Sequence, residues 1–236
     1  MPRIYNVAQG SEEWFRLRLG IPTASCFSDI LTPKTLKLSE QSKNYAYLLL
    51  AEWALGRPVV EFGGNANTER GQELEPEACK AYEFERDCDV MTVGFVTTDD
   101  GKAGASPDRL VGYDGLLELK CPLAHTHLGY MVSRALDEKY ALQLQGQLWV
   151  TGRKWVDVMS YFPGLPSVIL RVEPIEKYQA ALQEHISVFV DALEEAKIAL
   201  LKRYGYFRRK PEQFEDPLGV SDQDVDAILE SRKEAR

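Results

Sequence analysis

The stretch that decides the reading is Ala105-Ser-Pro-Asp108-Arg-Leu-Val-Gly112-Tyr-Asp-Gly115-Leu-Leu-Glu118-Leu-Lys120. Two short apolar runs flank a Tyr-Asp-Gly turn, so the stretch predicts a β-hairpin with strands over about 108–112 and 116–120. Its charged groups form a pattern: an acid, a gap, then acid-x-lysine on the second strand. Residues two apart on a strand share a face, so Glu118 and Lys120 project together. They are embedded among Leu116, Leu117, Leu119 and Cys121. That setting favours a charged face lining a cleft over a solvated surface hairpin.

Register decides whether Asp108 joins them. A two-residue Asp114-Gly115 loop would pair Tyr113 with Leu116, set Asp108 opposite Cys121 and turn it away from Glu118. A three-residue loop with Gly115 left-handed pairs Gly112 with Leu116 and sets Asp108 opposite Lys120, on the face of Glu118. The three-residue loop is expected, because only that register gathers the triad. Two carboxylates on one face suit Mg2+, with Mn2+ as a substitute, while the rest of the ion's shell stays open to water and phosphate. An ion so held generates hydroxide near neutral pH and steadies charge on a phosphoryl group, and a neighbouring ammonium can steady the attacking water. The pattern therefore points to metal-assisted phosphodiester cleavage.

Outward from the hairpin, the N-terminal third reads as helical. Ser11 can cap a helix over 12–19 that Gly20 ends, and Thr23 can cap a second over 24–31 before Pro33. Ser39 opens an apolar-periodic helix to about Leu55. A further helix from about Asn67 to Arg86 should kink or restart at Pro76. Val90 to Thr97 is rich in β-branched residues and predicts one strand. Beyond Pro122, the pattern predicts a helix over 138–150 and a hairpin of strands 155–162 and 168–172 around Pro163-Gly164. A long helix from Pro174 to Tyr204 follows, with its proline at the start. This order predicts an α/β protein with a small mixed β-sheet flanked by helices. The expected division is a single domain over 1–206 and a charged C-terminal appendage over 207–236, with a helix at about Asp222–Lys233.

The balance of 44% hydrophobic and 27% charged residues is an ordinary globular one. No run approaches the roughly 20 apolar residues of a membrane helix, and the N-terminus lacks the apolar core of a secretory signal. A cytoplasmic protein without membrane association is expected. Cys26, Cys79, Cys88 and Cys121 form no Cys-x-x-Cys pair and read as packing thiols. A net charge of −8 argues against a protein that coats nucleic acid by charge alone, though not against a local basic channel. His125 and His127, two apart, fall on different helix faces and read as loop or surface residues, as does His185. Lys202-Arg203 with Arg208-Arg209-Lys210 suits phosphate contacts and a helix C-terminus equally well.

The segment Gln9-Gly-Ser-Glu-Glu-Trp14-Phe-Arg-Leu-Arg18-Leu-Gly20-Ile-Pro-Thr23-Ala-Ser25 closely resembles the opening motif of the phage lambda exonuclease family, the YqaJ-like viral recombinases. Ser106-Pro-Asp108 and Leu117-Glu118-Leu119-Lys120-Cys-Pro122 are similar to the same family in order and spacing. Gly71-Gln-Glu-Leu-Glu75 and Tyr140-Ala-Leu-Gln143-Leu-Gln145 fit its two intervening helices. The resemblance spans about Val7 to Tyr204. It implies the restriction-endonuclease-like core, with Asp108, Glu118 and the Leu119 backbone carbonyl binding Mg2+ and Lys120 orienting the nucleophilic water. It implies a second metal site assisted by Glu75, and a 5′-phosphate pocket of Arg18, Ser25, Ser106 and Gln143. The implied activity is 5′-to-3′ digestion of one strand of linear double-stranded DNA, leaving 3′ overhangs for phage-type recombination. A toroidal homotrimer and a single-strand annealing protein as partner are implied as well.

The residues bear on these assignments separately. Arg18 offers a planar bidentate donor, and a helix N-terminus with hydroxyls, as at Thr23-Ala-Ser25, is a good anion site. Gln143 and Gln145 cannot share a helix face whereas Gln143 and Gln147 can, so one of the 143/145 pair reaches the site, and Gln143 is chosen. Pro76 biases Glu75 away from helical geometry, and Glu73 is the substitute if the kink is large. Two rivals share the fold: an endonuclease, and a non-catalytic DNA-end-binding recombination scaffold.

Overall fold

The computed structural model describes residues 1–59, 66–135 and 137–205, so the expected appendage, its helix and the basic run 208–210 lie outside the described residues. The elements are β1 (Arg3–Tyr5), α1 (Glu12–Arg18), α2 (Phe27–Ile30), α3 (Ser42–Leu55), α4 (Ala66–Arg86), β2 (Val90–Thr92), β3 (Phe95–Thr97), β4 (Gly104–Ala105), β5 (Arg109–Val111), β6 (Gly115–Lys120), α5 (Ala124–Ser133), α6 (Ala141–Thr151), β7 (Trp155–Ser160), β8 (Val168–Val172) and α7 (Glu176–Tyr204). Short 3-10 turns at Ala24–Cys26 and Glu138–Tyr140 precede α2 and α6.

The central sheet has the order β2-β5-β6-β7-β8. β6 and β7 run parallel and every other neighbouring pair is antiparallel, so the sheet is mixed, as expected. Alternation along β6 assigns its faces. Leu116 enters a core with Phe27, Leu142, Leu148 and Leu182, whereas Leu117 packs with Ala78, Cys79 and Tyr82 of α4. Helix α4 thus covers one face and α6 with α7 the other, which is the burial a parallel pair requires. Glu118 and Lys120 share the Leu116 side and look toward α6.

The hairpin has the expected loop length but not the expected register. Arg109 pairs with Leu117, Leu110 with Leu116 and Val111 with Gly115, so the loop is Gly112-Tyr113-Asp114. Gly112, at φ +53°, is the left-handed residue rather than Gly115. Gly115 is held in the strand because Trp155 lies over it, and a Cβ there would come 2.2 Å from the indole. The correction moves the pairing by two residues, which preserves side-chain parity. Asp108 therefore stays on the face of Glu118, now set against Glu118 itself rather than Lys120.

Other departures have local causes. The single strand expected over 90–97 is two, β2 in the central sheet and β3 in a second sheet of order β1-β3-β4. The chain changes sheets at Val93-Gly94, where the Gly94 N–H donates to the Tyr5 carbonyl at 3.2 Å. Branched residues announce extended chain but not its partner. Ser11 caps α1 by accepting from the Trp14 N–H at 3.2 Å, and Gly20 turns left-handed beyond its end. Thr23 makes no side-chain cap; its hydroxyl is committed to Arg18 and Ser25. α3 starts at Ser42, and Ser39 instead accepts from the Gln41 N–H. Pro174 lies just ahead of the α7 N-cap, Ile175.

α4 runs unbroken through Pro76. The helix is tied to the sheet on both sides of the proline. Arg70 Nη1 donates to the Cys121 and Pro122 carbonyls at 2.7 and 2.9 Å, and the Tyr82 hydroxyl to Asp157 Oδ2 at 2.8 Å. These ties oppose the roughly 3 kcal/mol that an interior proline costs. His127 corrects the surface reading. It is fully buried on α5, with Nδ1 2.8 Å from Ser160 Oγ and Nε2 3.1 Å from the Pro166 carbonyl, while His125 is exposed. Spacing separates their faces but does not say which face is inward. Cys79 lies in the core and Cys26, Cys88 and Cys121 pack against it, all four unpaired. No helix among the described residues is long and apolar enough to cross a membrane.

Candidate active site

Asp108 stands where the chain leaves β4 to enter β5, and its Oδ2 accepts the Leu119 N–H at 2.6 Å. That bond spans the hairpin and locks the acid to the strand carrying Glu118. Gln9 braces the approach by donating Nε2 to the Val93 and Pro107 carbonyls at 3.0 and 2.9 Å.

Glu118 is 3% exposed and fully engaged. Its Oε1 accepts from Lys120 Nζ at 2.5 Å and from Gln143 Nε2 at 2.8 Å, and its Oε2 accepts from Gln147 Nε2 at 2.7 Å. The two glutamines are one helical turn apart on α6 and share a face, as their spacing predicts. Gln145 faces elsewhere, donating to the Glu173 carbonyl and accepting from the Ile175 N–H. Lys120 Nζ lies 5.0 Å from the Tyr140 ring centroid, just outside α6.

The electrostatics leave the acids short of positive charge. Burial, then repulsion from Glu118, raises the Asp108 carboxyl well above the ordinary carboxylate range, and Lys120 and the Leu119 N–H offset this only partly. Burial would lower the Lys120 ammonium, yet Glu118 and Asp108 outweigh it and hold the group above its usual value. Two crowded carboxylates share one ammonium, an imbalance that a divalent cation relieves. The donors are oxygens, the set that Mg2+ and Mn2+ take. Among the described residues no three His, Cys, Asp or Glu side chains already form a metal cluster. The fit is therefore to an ion holding Asp108 and Glu118 and keeping several water or phosphate ligands, as Mg2+ usually does.

Glu75 reaches this neighbourhood from α4. Its Oε1 accepts from Arg109 Nη1 at 2.8 Å, and Arg109 follows Asp108 directly. Continuity through Pro76 keeps Glu75 at the sheet, whereas Glu73 is exposed.

A second cluster gathers three of the four residues assigned to the phosphate pocket. Arg18 donates from Nη1 to Ser106 Oγ at 3.2 Å and from Nη2 to Thr23 Oγ1 at 3.4 Å, and Ser25 Oγ lies 3.3 Å from Thr23 Oγ1. Trp14 donates Nε1 to Ser106 Oγ at 3.0 Å, and its ring lies 4.2 Å beneath the guanidinium. Burial lowers the Arg18 pKa from its ordinary value, yet a guanidinium stays charged in proteins. The cluster offers one cation and three hydroxyls to an anion, and Ser106 links it to Asp108 two residues on. Gln143 is not in it. Its amide serves Glu118 instead.

The residues assigned to the site from sequence do not include Trp14, Arg109, Tyr140 or Gln147, and Thr23 enters only through the hydroxyls beside Ser25. Trp14 was legible as the residue one turn before Arg18 on α1. Gln147 was legible as the face-mate of Gln143. Thr23 was legible as one of the hydroxyls at the Thr23-Ala-Ser25 anion site, and nothing in the pattern signals Arg109 as the partner of Glu75.

Residues 13–154 match the family profile of the YqaJ-like viral recombinase domain. Among solved structures, the chain is similar to an alkaline exonuclease, LHK-Exo, from Laribacter hongkongensis. The two are 34% identical, the match covers 82% of this chain and 97% of that one, and the TM-score is 0.73. The same exonuclease in complex with dAMP matches with 34% identity, the same coverage and a TM-score of 0.72. A phage related exonuclease from Haemophilus somnus 129PT shares the fold at 17% identity and a TM-score of 0.59, over 75% of this chain and 94% of that one. No curated protein matches the chain.

Proposed function

The chain belongs to the YqaJ-like viral recombinase family and has a restriction-endonuclease-like fold, and we propose that it is a Mg2+-dependent exonuclease acting on linear double-stranded DNA. In this reading it digests one strand from 5′ to 3′ and leaves 3′ single-stranded overhangs for phage-type recombination. The observation that carries it is the adjacency of two clusters. An underneutralised carboxylate pair, Asp108 and Glu118, is joined to a guanidinium–hydroxyl pocket through Asp108, two residues past Ser106. Likeness to an alkaline exonuclease captured with dAMP supports a mononucleotide product.

Asp108, Glu118 and the Leu119 carbonyl would hold Mg2+ or Mn2+, and Glu75, on leaving Arg109, would serve a second ion. When bound, such an ion would supply an activated water near neutral pH and charge stabilisation on the cleaved phosphate. The protein does the rest. Lys120, released from Glu118, orients the water and neutralises the phosphate. Arg18, Ser25 and Ser106, with Thr23 beside them, grip the terminal 5′-phosphate and so set the distance from the end to the cut. Gln143 keeps one amide hydrogen on Glu118 and has a second to offer a phosphate oxygen. A homotrimeric ring, a single-strand annealing protein as partner, a cytoplasmic location and a separate appendage over 207–236 complete the proposal.

An endonuclease needs no terminal-phosphate pocket, and a scaffold needs no intact Asp108, Glu118 and Lys120. Linear 5′-phosphorylated duplex incubated with Mg2+ separates the three. Mononucleotides should appear from the linear duplex, none from a covalently closed circle, and none with Asp108→Ala. Cutting of the circle would establish the endonuclease. End binding without products would establish the scaffold.

A further inference from the structure

Glu118 is the carboxylate on which the site turns, and only one of its oxygens is controlled by the hairpin. Lys120 pulls on Oε1, with Gln143 beside it. With Oε1 alone held, the carboxylate would be free to swing about its last side-chain bond, a broad torsion with no single staggered well. Gln147 opposes the swing. It is 1% exposed, one helical turn beyond Gln143 on α6, and it holds Oε2 at 2.7 Å. Its own Oε1 is buried without a hydrogen-bond partner. A buried amide oxygen left bare carries a desolvation cost that an apolar side chain would avoid, and the neighbours Leu144 and Leu148 are apolar and buried. That bare oxygen costs stability, and the amide donor gains a fixed orientation for Glu118.

We propose that Gln147 is a positioning residue that acts through Glu118: it pins Oε2 so that the carboxylate plane is set before a divalent cation arrives. The inference rests on the metal-dependent reading above. It differs from a packing role in a measurable way, since packing is indifferent to the amide donor whereas positioning depends on it. A residue that orients a metal ligand typically accounts for about 10–100-fold in metal affinity.

The test titrates Mn2+ into DNA-free full-length protein, with free Mn2+ followed by electron paramagnetic resonance. Gln147→Met keeps the volume and removes the donor. Mn2+ binding should weaken about tenfold or more, and the Tm without metal should fall, because Glu118 Oε2 is left buried without its donor. Gln147→His, whose Nε2–H can reach Oε2, should recover most of the affinity. Gln147→Asn, which withdraws the amide by one methylene, should lose as much as Met and keeps the test open if the Met variant does not fold. Binding by Met or Asn equal to wild type would overturn the positioning role. A histidine variant as weak as Met would overturn it too, by showing that shape and not donation matters. Wild-type protein that binds no Mn2+ would sink the metal-dependent reading itself, a result distinct from the other two.

Discussion

Asp108 holds its proton more tightly in the folded chain than in the unfolded one, first because it is buried and then because Glu118 shares its face. An acid of this kind favours the folded state at low pH. It weakens that state as pH rises from the unfolded value, about 3.9, through the raised native one. Asp108→Asn keeps an oxygen for the Leu119 N–H and removes the charge. In metal-free buffer near neutral pH this variant should melt higher than wild type, by about 2–4 °C for each kcal/mol of repulsion relieved. The gap should close as the buffer is acidified, and nuclease activity should be lost; a lower Tm at neutral pH would contradict the crowded-carboxylate picture. Lys120→Ala should bind DNA nearly as well as wild type while turnover falls about 10²–10³-fold, the usual cost of deleting one transition-state donor. Arg18 donates to two hydroxyls, those of Ser106 and Thr23. Arg18→Ala should slow digestion of 5′-phosphorylated ends by about tenfold or more, the worth of one charged hydrogen bond, and barely affect 5′-hydroxyl ends. Equal loss on both substrates would rule out a terminal-phosphate pocket.

At the scale of elements, α6 matters because it presents Gln143 and Gln147 to β6, and its depth is set by Gly146. A Cβ at Gly146 would meet the Phe27 ring at 2.5 Å and the Ala24 Cβ at 3.2 Å. Alanine is the better helix former, yet Gly146→Ala should destabilise the protein by about 1–3 kcal/mol through overpacking. Gly129, on α5, has nothing within 4 Å of a Cβ, so Gly129→Ala should stabilise by about 0.5–1 kcal/mol. Thermal melts of the two variants should move in opposite directions, and a stabilised Gly146→Ala would refute the tight α6 seat. This contrast also shows what the sequence could and could not disclose. Periodicity located α1, α3, α4, α6 and α7, and alternation placed Glu118 and Lys120 on one face. The hairpin register came out two residues off because Trp155, forty residues past Gly115, decides which glycine enters the strand. The split of β2 from β3, the burial of His127 and the pairing of Glu75 with Arg109 likewise depend on distant partners, and local pattern cannot hold that information. The candidate-site acids were legible because the pattern that singles them out is confined to one short hairpin.

For the whole molecule, the question is how a chain of net charge −8 keeps hold of a polyanion. A surface that bound DNA through 6–10 phosphate contacts would lose about 10³–10⁵ in affinity between 50 and 200 mM salt. This chain has 28 basic against 36 acidic residues, and two cations of the candidate site, Arg18 and Lys120, are hydrogen-bonded within it. Retention by charge alone is therefore a poor physical match. Retention by enclosure is a better one: in the proposed homotrimeric ring the substrate cannot diffuse away sideways, so escape requires opening the ring or reaching an end. Enclosure separates two rates that a simple electrostatic clamp couples. Loading at an end should fall with salt, because approach to the pocket is steered by charge. Once threaded, the number of nucleotides removed per encounter should stay nearly constant. Single-encounter digestion of an end-labelled linear duplex, with excess heparin added at the start of the reaction, measures this at 50 and 200 mM salt. A threaded ring gives fewer molecules started but the same run length; run lengths that shrink in step with loading would show that charge, not topology, holds the strand.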